Sequence, residues 1–457
     1  MRSKRLSLAL IAALAAASTC AQAADLAEIY EMARASDPQL AAAESAMLAS
    51  GEGVVQARAT LLPSLSGTAT LGNDTSSTLG LQQFVGPDGR PTVVNGTTNE
   101  SRTRTYSLSL RQTLYNHSNY TRLRGARAGA DRGAASYDAA LDNLIVRVSE
   151  AYFGALTATT NLEAAQAEEK AVKRQLEQAQ QRYEVGLSAI TDVHEAQARY
   201  DASRAATILS QNQLDDAYEA LAELTGKPVS DVRPLVTDIQ LNRPDPDTLD
   251  AWVQTAEAES PALAIRRYEL EQAEQAIATA KAAHLPTLSA DYSWNDRSSW
   301  GDVTGGSSSR AFNSDGRDHG FGITLNVPIF EGLATQSRVR QETYNRDAAA
   351  DQYETEKRSV VRATRNAFRA VVAGISEVEA RKQAQVSAQS ALDATQAGFE
   401  VGTRTIVDVL QSQQVLFQAQ RDYAKARHDY LLNSLRLKQA AGTIAVADLQ
   451  SVNALLK

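Results

Sequence analysis

After its first 17 residues the chain has no apolar run approaching the ~18 residues that a transmembrane helix needs. It has a single cysteine, Cys20, so no disulfide framework holds it. It lacks an excess of positive charge: 46 basic residues face 54 acidic ones, which argues against a nucleic-acid partner. Its five histidines (His117, His194, His284, His319 and His428) are scattered, with no H-E-x-x-H, no P-loop and no nucleophile elbow. Isolated polar histidines on helices read as solvated side chains. With no catalytic constellation, cofactor site or metal site to point to, the chain reads as a non-enzyme.

What is present begins with a processing signal. Met1-Arg2-Ser3-Lys4-Arg5 is a basic n-region, residues 6–17 an apolar h-region, and Ala21-Gln22-Ala23 an A-x-A cleavage site, giving a signal peptide over 1–23. Cleavage after Ala23 removes Arg2, Lys4 and Arg5 and leaves residues 24–457, with a net charge of −11 and no cysteine. Ala17-Ser18-Thr19 lacks the leucine of a lipoprotein signal, so Cys20 is expected to leave with the leader. The protein is expected to be exported.

The remainder is a tandem duplication. Residues 180–200 (QQRYEVGLSAITDVHEAQARY) return as residues 396–416 (QAGFEVGTRTIVDVLQSQQVL), with 8 of 21 positions identical. Asp37-Pro38 is answered by Ser260-Pro261, and Leu62-Pro63-Ser64-Leu65 by Leu285-Pro286-Thr287-Leu288. The copies stand nearly half the chain apart, slightly further in their early parts than in their late ones, a period far too long for a solenoid unit. Repeat one covers 24–226 and repeat two 251–442.

Each repeat carries the same elements in the same order. A helix of about 25 residues starts at Asp37-Pro38 or Ser260-Pro261, with the polar residue capping and proline in the first turn. Two strands of alternating polarity follow, at 63–75 and 104–116, then at 286–295 and 319–331. The segments between them, 73–103 and 295–319, are rich in Gly, Ser, Asn, Thr and Asp and read as long exposed hairpin loops. Proline-free helices then run over 117–184 and 332–400, stop at Val185-Gly186 and Val401-Gly402, and return over 189–225 and 405–441. The two shorter helices of a repeat match the long one in length, so stacked end to end they cover its flank. Segment 227–250, with four prolines, links the repeats, and 443–457 closes the chain; together they are placed to form a collar.

The strands suit an outer-membrane β-barrel, with Tyr106, Tyr292, Trp294 and Phe321 placed as interfacial aromatics. Two soluble hairpins, or a periplasmic coiled-coil adaptor or tether without a pore, are the competing readings. Four strands cannot close a barrel, and open edges do not survive in hydrocarbon, so membrane insertion requires several copies.

Over residues 25–457 the chain resembles the TolC family of outer-membrane exit ducts. The match is carried by Gln181-Arg182-Tyr183-Glu184-Val185-Gly186, Ala189-Ile190-Thr191-Asp192-Val193, residues 401–410 (VGTRTIVDVL), Leu285-Pro286-Thr287-Leu288 and Val327-Pro328-Ile329-Phe330. The resemblance implies a mainly α fold: a homotrimer with an α-helical tunnel, a mixed α/β equatorial collar built from 227–250 and 443–457, and a shared twelve-stranded transmembrane β-barrel in outer-membrane lipid. It implies a duct for efflux of drugs and amphiphiles or for type I secretion, working with a periplasmic adaptor and an inner-membrane transporter. By position it implies a periplasmic gate in which Thr191 and Asp192 bond Arg404 of a neighbour. Asp408 then forms a constriction ring, and Val185, Gly186, Leu187, Val401, Gly402 and Thr403 form adaptor-contact tips. Phe399 stands where the family archetype has tyrosine, removing one hydroxyl from the gate. Gln411 replaces a second acidic ring residue, leaving three ring charges rather than six.

The same residues have a local reading. Asp192 and Asp408 follow the glycine breaks, where carboxylates favour the helix dipole, and Thr405 with Asp408 resembles a capping box. The two roles are compatible.

Overall fold

The computed structural model describes residues 23–236 and 238–457; the signal peptide read from the sequence, Cys20 included, lies outside them but for Ala23. In chain order the elements are α1 (Leu26–Ser36), α2 (Pro38–Ala59), β1 (Ser64–Val85), β2 (Pro91–Tyr115), α3 (His117–Glu184), α4 (Ile190–Thr225), α5 (Leu249–Glu259), α6 (Pro261–Ala282), β3 (Thr287–Gly305), β4 (Ser308–Asn326), α7 (Ala334–Glu400), α8 (Ile406–Ala441) and α9 (Val446–Asn453). They form two compact units, one of residues 48–131 and 268–351, the other of the residues up to 47, 132–267 and 352–457. Among the described residues no helix is long and apolar enough to cross a membrane.

The first unit holds an antiparallel sheet in the order β1-β2-β3-β4, so the β2–β3 pairing joins the two repeats. Strand alternation and register sort one face into rows. Leu65, Leu110, Tyr292 and Phe321 share a row; Gly67, Leu108, Trp294 and His319 the next; Ala69, Tyr106, Asp296 and Arg317 the one after. Then the chemistry changes to Leu71, Arg104, Ser298 and Asp315. At this boundary the Arg104 guanidinium lies 5.5 Å from the Tyr106 ring centre, and Arg317 pairs with Asp296 at 2.8 Å. A water-exposed apolar face that ends in aromatics and then arginines is the pattern of a lipid-facing band. Both edge strands, β1 and β4, have one neighbour each.

Segments 73–103 and 295–319 are not loops. The strands run 22, 25, 19 and 19 residues, leaving only residues 86–90 and 306–307 as turns. About ten residues suffice to cross a bilayer, so the half of each strand nearest its turn exceeds what a crossing needs. It shows no sustained apolar alternation. At the other end the strand expected over 319–331 stops at Asn326. Pro328 cannot donate to a ladder, and Gly332 and Leu333 take positive φ of 59° and 69°.

In the helical unit, Asp37 and Ser260 mark breaks between helices rather than the first starts, because α1 and α5 precede them. The Asp37 carboxylate accepts from the Leu40 amide at 3.1 Å and pairs with Arg147. α3 and α8 are interior. α8 buries fourteen residues along its 36, whereas α4, of equal length, buries five: Ala196, Ser203, Leu214, Leu221 and Thr225. These five lie on one flank at helical spacing. α7 is likewise buried along one flank in this unit, at Val360, Thr364, Val371 and Val378. Arg436–Glu150 at 2.7 Å and Arg421–Glu168 at 3.4 Å tie α8 to α3, Arg199–Glu168 at 3.5 Å ties α4 to α3, and Arg381–Asp422 at 2.9 Å ties α7 to α8.

His428, expected to be solvated, is buried in this core. Its ring stacks on Phe153 with centroids 5.7 Å apart, and Nδ1 lies 2.8 Å from the Thr157 hydroxyl. Burial, reinforced by Arg427, pushes its pKa down to about 4.

Candidate functional site at the hairpin tips

The α3–α4 and α7–α8 turns share one backbone solution. Gly186 donates to the Tyr183 carbonyl at 2.9 Å and Leu187 to the Arg182 carbonyl at 2.8 Å. Gly402 donates to Phe399 at 3.1 Å and Thr403 to Gly398 at 2.8 Å, closing the same pair of bonds. This is the Schellman arrangement, which requires a left-handed residue; the glycine φ values are 77° and 78°. The tips leave apolar side chains in solvent: Val185, Leu187 and Val401 are 69%, 70% and 75% exposed.

The side chains around the two turns differ. At the second tip Thr405 caps α8. Its hydroxyl accepts from the Asp408 amide at 3.3 Å, while Asp408 Oδ2 accepts from the Thr405 amide at 2.9 Å and hydroxyl at 3.0 Å. These donors, with a smaller contribution from Arg404, hold the Asp408 carboxyl below the usual carboxylate range. At the first tip the cap position is Ala189, which has no side-chain oxygen; only its backbone carbonyl accepts from the Asp192 amide, at 3.2 Å. Asp192 therefore has no capping hydroxyl to bond. Among the described residues neither it nor the exposed Thr191 makes a side-chain hydrogen bond or ion pair within the protomer.

Arg404 is exposed, and within the protomer it is not joined to Thr191 or Asp192. Its backbone amide donates to the Gly398 carbonyl at 3.2 Å, and its aliphatic stem crosses Gly398 so closely that a Cβ there would stand 2.8 Å from Arg404 Cγ. Phe399 is buried with Val172, Ile406, Val409 and Leu410, and the Arg182 guanidinium lies 5.0 Å from its ring centre. Its counterpart Tyr183 is 46% exposed. Gln411 is exposed, one residue past the buried Leu410. Sequence reasoning missed Gly398 and Arg182; the repeat alignment sets these two positions opposite each other, a small residue against a large cation.

Among the described residues no group of three or more His, Cys, Asp or Glu side chains is placed to hold a metal ion. What the tips offer is a set of exposed charges on a rigid backbone turn. One carboxylate is committed to a helix start, and one carboxylate and one guanidinium are left available.

The model of the outer membrane efflux protein family matches residues 29–227 and 252–443, once per repeat. The outer membrane protein TolC of Vibrio cholerae serotype O1 is 37% identical over 454 residues, covering 99% of both chains. TolC of Escherichia coli K12 is 35% identical over 440 residues, covering 95% of this chain and 86% of its own. The alkaline protease secretion protein AprF of Pseudomonas aeruginosa is 29% identical over 93% of this chain and 86% of its own. Among solved structures, CusC superposes with a TM-score of 0.74 at 16% identity over 92% of each chain. The Campylobacter jejuni CmeC outer membrane channel superposes with a TM-score of 0.73 at 16% identity, covering 94% of this chain and 90% of its own.

Proposed function

The chain belongs to the outer membrane efflux protein family, and from that premise we propose that three copies pool their sheets into one barrel and their helices into a tunnel gated at the hairpin tips. The protein is an outer-membrane exit duct for efflux and secretion, of mainly α fold with one antiparallel four-stranded sheet. The observation that carries assembly from several copies is the sheet itself, and the number three is taken from the family. The sheet has a lipid-suited face and two open edges, and unpaired backbone in hydrocarbon costs several kcal/mol per group. Three copies supply twelve strands, an even number above the eight of the smallest membrane barrels.

Its partners are a periplasmic adaptor, seated on the exposed tips Val185, Gly186, Leu187, Val401, Gly402 and Thr403, and an inner-membrane transporter behind it. The duct conducts passively and is not an enzyme. Arg404 bonds Thr191 and Asp192 of a neighbour and biases the tunnel closed, while Asp408 lines the constriction with three charges and Gln411 adds none. Asp408 performs its capping role at the same time, since Oδ2 alone takes both cap bonds.

Single-channel recording in a planar bilayer, with light scattering of the detergent-solubilised protein, tests this reading. Trimers of low conductance are expected. Arg404→Glu raises conductance without loss of assembly, and Asp192→Arg added to it partly restores the closed state. Asp408→Asn lowers cation selectivity. A water-soluble monomer ends the duct reading; an unaltered conductance in assembled Arg404→Glu trimers moves the gate elsewhere.

A further inference from the structure

The free flanks of α4 and α7 carry opposite charge. On α7 the residues opposite the buried Val360, Thr364 and Val371 are Arg358, Arg362, Arg365 and Arg369, all exposed. In a chain of net negative charge this is a concentrated basic stripe. Among the described residues Arg362, Arg365 and Arg369 have no partner in the protomer, and Arg358 pairs only with Glu354 of its own helix at 2.9 Å. On α4 the residues opposite the buried Leu214 and Leu221 are Asp216, Glu219 and Glu223, again exposed. Asp216 accepts from Asn212 at 3.2 Å, one turn away; among the described residues Glu219 and Glu223 have no partner in the protomer.

The stripes also match in level. Glu219 follows the tip glycine Gly186 by the same stretch of chain by which Arg369 precedes the tip glycine Gly402. Glu223 and Arg365, one turn further from the tips, are again equally distant from their glycines. Both flanks carry small exposed residues on the tip side, Ala198, Ala202 and Ala205 on α4, where Leu209 and Asp201 stand among them, and Ala373, Ser376 and Ala380 on α7. Small exposed residues let two helices approach closely, and the charge pairs lie at the same distance from the turn on each. An α4 flank set against the α7 flank of a second copy makes a head-to-tail contact, the kind that a symmetric ring repeats.

We infer that the arginine stripe of α7 docks on the acidic stripe of α4 in a second copy of the chain, with Arg369 meeting Glu219 and Arg365 meeting Glu223. This rests on the multi-copy reading above and adds the residues that set the seam. Single exposed ion pairs contribute little, but a repeated network fixes register and rejects misaligned partners.

The near absence of cysteine makes a direct test available. Chains carrying Glu219→Cys and differently tagged chains carrying Arg369→Cys are co-expressed, and isolated outer membranes are treated with a short bis-thiol linker. Covalent pairs joining the two tags are expected, and either variant expressed alone gives none. Arg365→Glu with Arg369→Glu is expected to cause loss of the detergent-stable oligomer, and Glu219→Arg with Glu223→Arg added to it restores the oligomer. An oligomeric wild type that yields no mixed-tag product overturns the seam and leaves the duct reading standing. A monomeric wild type overturns both.

Discussion

Phe153 and Arg369 hold the same position in the two repeats, yet Phe153 is buried against His428 and Arg369 stands in solvent. His428 in turn corresponds to the exposed Asn212. The long helix is interior in repeat one and flanking in repeat two; for the return helix the order is reversed. Duplication preserved helix length and turn geometry, which are local properties. It did not preserve burial, which depends on what each copy packs against, and the side chains diverged to suit. The same contrast runs through the tips. Both glycine turns are superimposable in their hydrogen bonds, while Ala189 and Thr405 give their helices different starts.

Exchanging residues between the repeats tests the contrast. The largest effect is expected from Phe153→Arg, which puts the repeat-two residue into a site 3% exposed, against the ring of the buried His428. Burying an unpaired charge this way costs more than about 4 kcal/mol and abolishes folded yield. Arg369→Phe leaves the protomer's thermal unfolding unchanged and acts only on assembly. If the two exchanges cost the same, the interior and flank assignments are wrong.

Next comes pH. His428 is held near 4 when folded and titrates near its ordinary 6.5 when unfolded. Its contribution is therefore fully present above pH 6.5 and is lost as pH falls toward 4, by up to about 3 kcal/mol at roughly 1.4 kcal/mol per pH unit. His428→Asn, the repeat-one residue, is expected to flatten the denaturation midpoint over this range. A slope unchanged in the variant assigns the acid sensitivity to another group.

Gly186→Ala and Gly402→Ala probe what the repeats share. A Cβ added at either glycine would meet no atom within 4 Å, so only the left-handed backbone resists, at about 1–2 kcal/mol each. The two thermal shifts are expected to agree, and a clear difference shows that the turns are not equivalent. The smallest effect is Ala189→Thr, which builds at the first tip the box that Thr405 forms at the second. It stabilises the start of α4 by about 1 kcal/mol. It also makes the cap compete with Arg404 of the neighbour for the Asp192 carboxylate, so a modest rise in conductance is expected although no charge has changed; an unchanged or lower conductance counts against that competition.

Elements with a local signature were legible. Helical periodicity without proline marks α3 and α7, and Gly186 and Gly402 mark their ends, because a positive φ selects glycine wherever the turn lies. Alternation revealed only the inner part of each strand; beyond Arg104 the apolar signal vanishes while the hydrogen-bonded ladder continues. The capping box of Thr405 and Asp408 was readable from spacing. The burial of His428 was not, since it depends on Phe153 and Thr157 of a helix in the other repeat. Nor was the cover that Arg182 provides for Phe399, which joins one tip to the other.

The equal lengths of the hairpins carry a constraint on descent. α4 and α8 are 36 residues each, and α3 and α7 are 68 and 67. Deleting one residue from α4 between Gly186 and Glu219 lowers everything beyond it by about 1.5 Å and turns it by about 100°, taking the acidic stripe off its flank. Deleting seven restores the facing to within about 20° but leaves the stripe two turns out of step with Arg369. Only a matching loss from α7 brings the levels back together. Insertions and deletions are therefore expected to survive as pairs, in steps near seven, at corresponding places in both repeats. Two halves that share a common ancestor remain bound to change length together long after their sequences have parted.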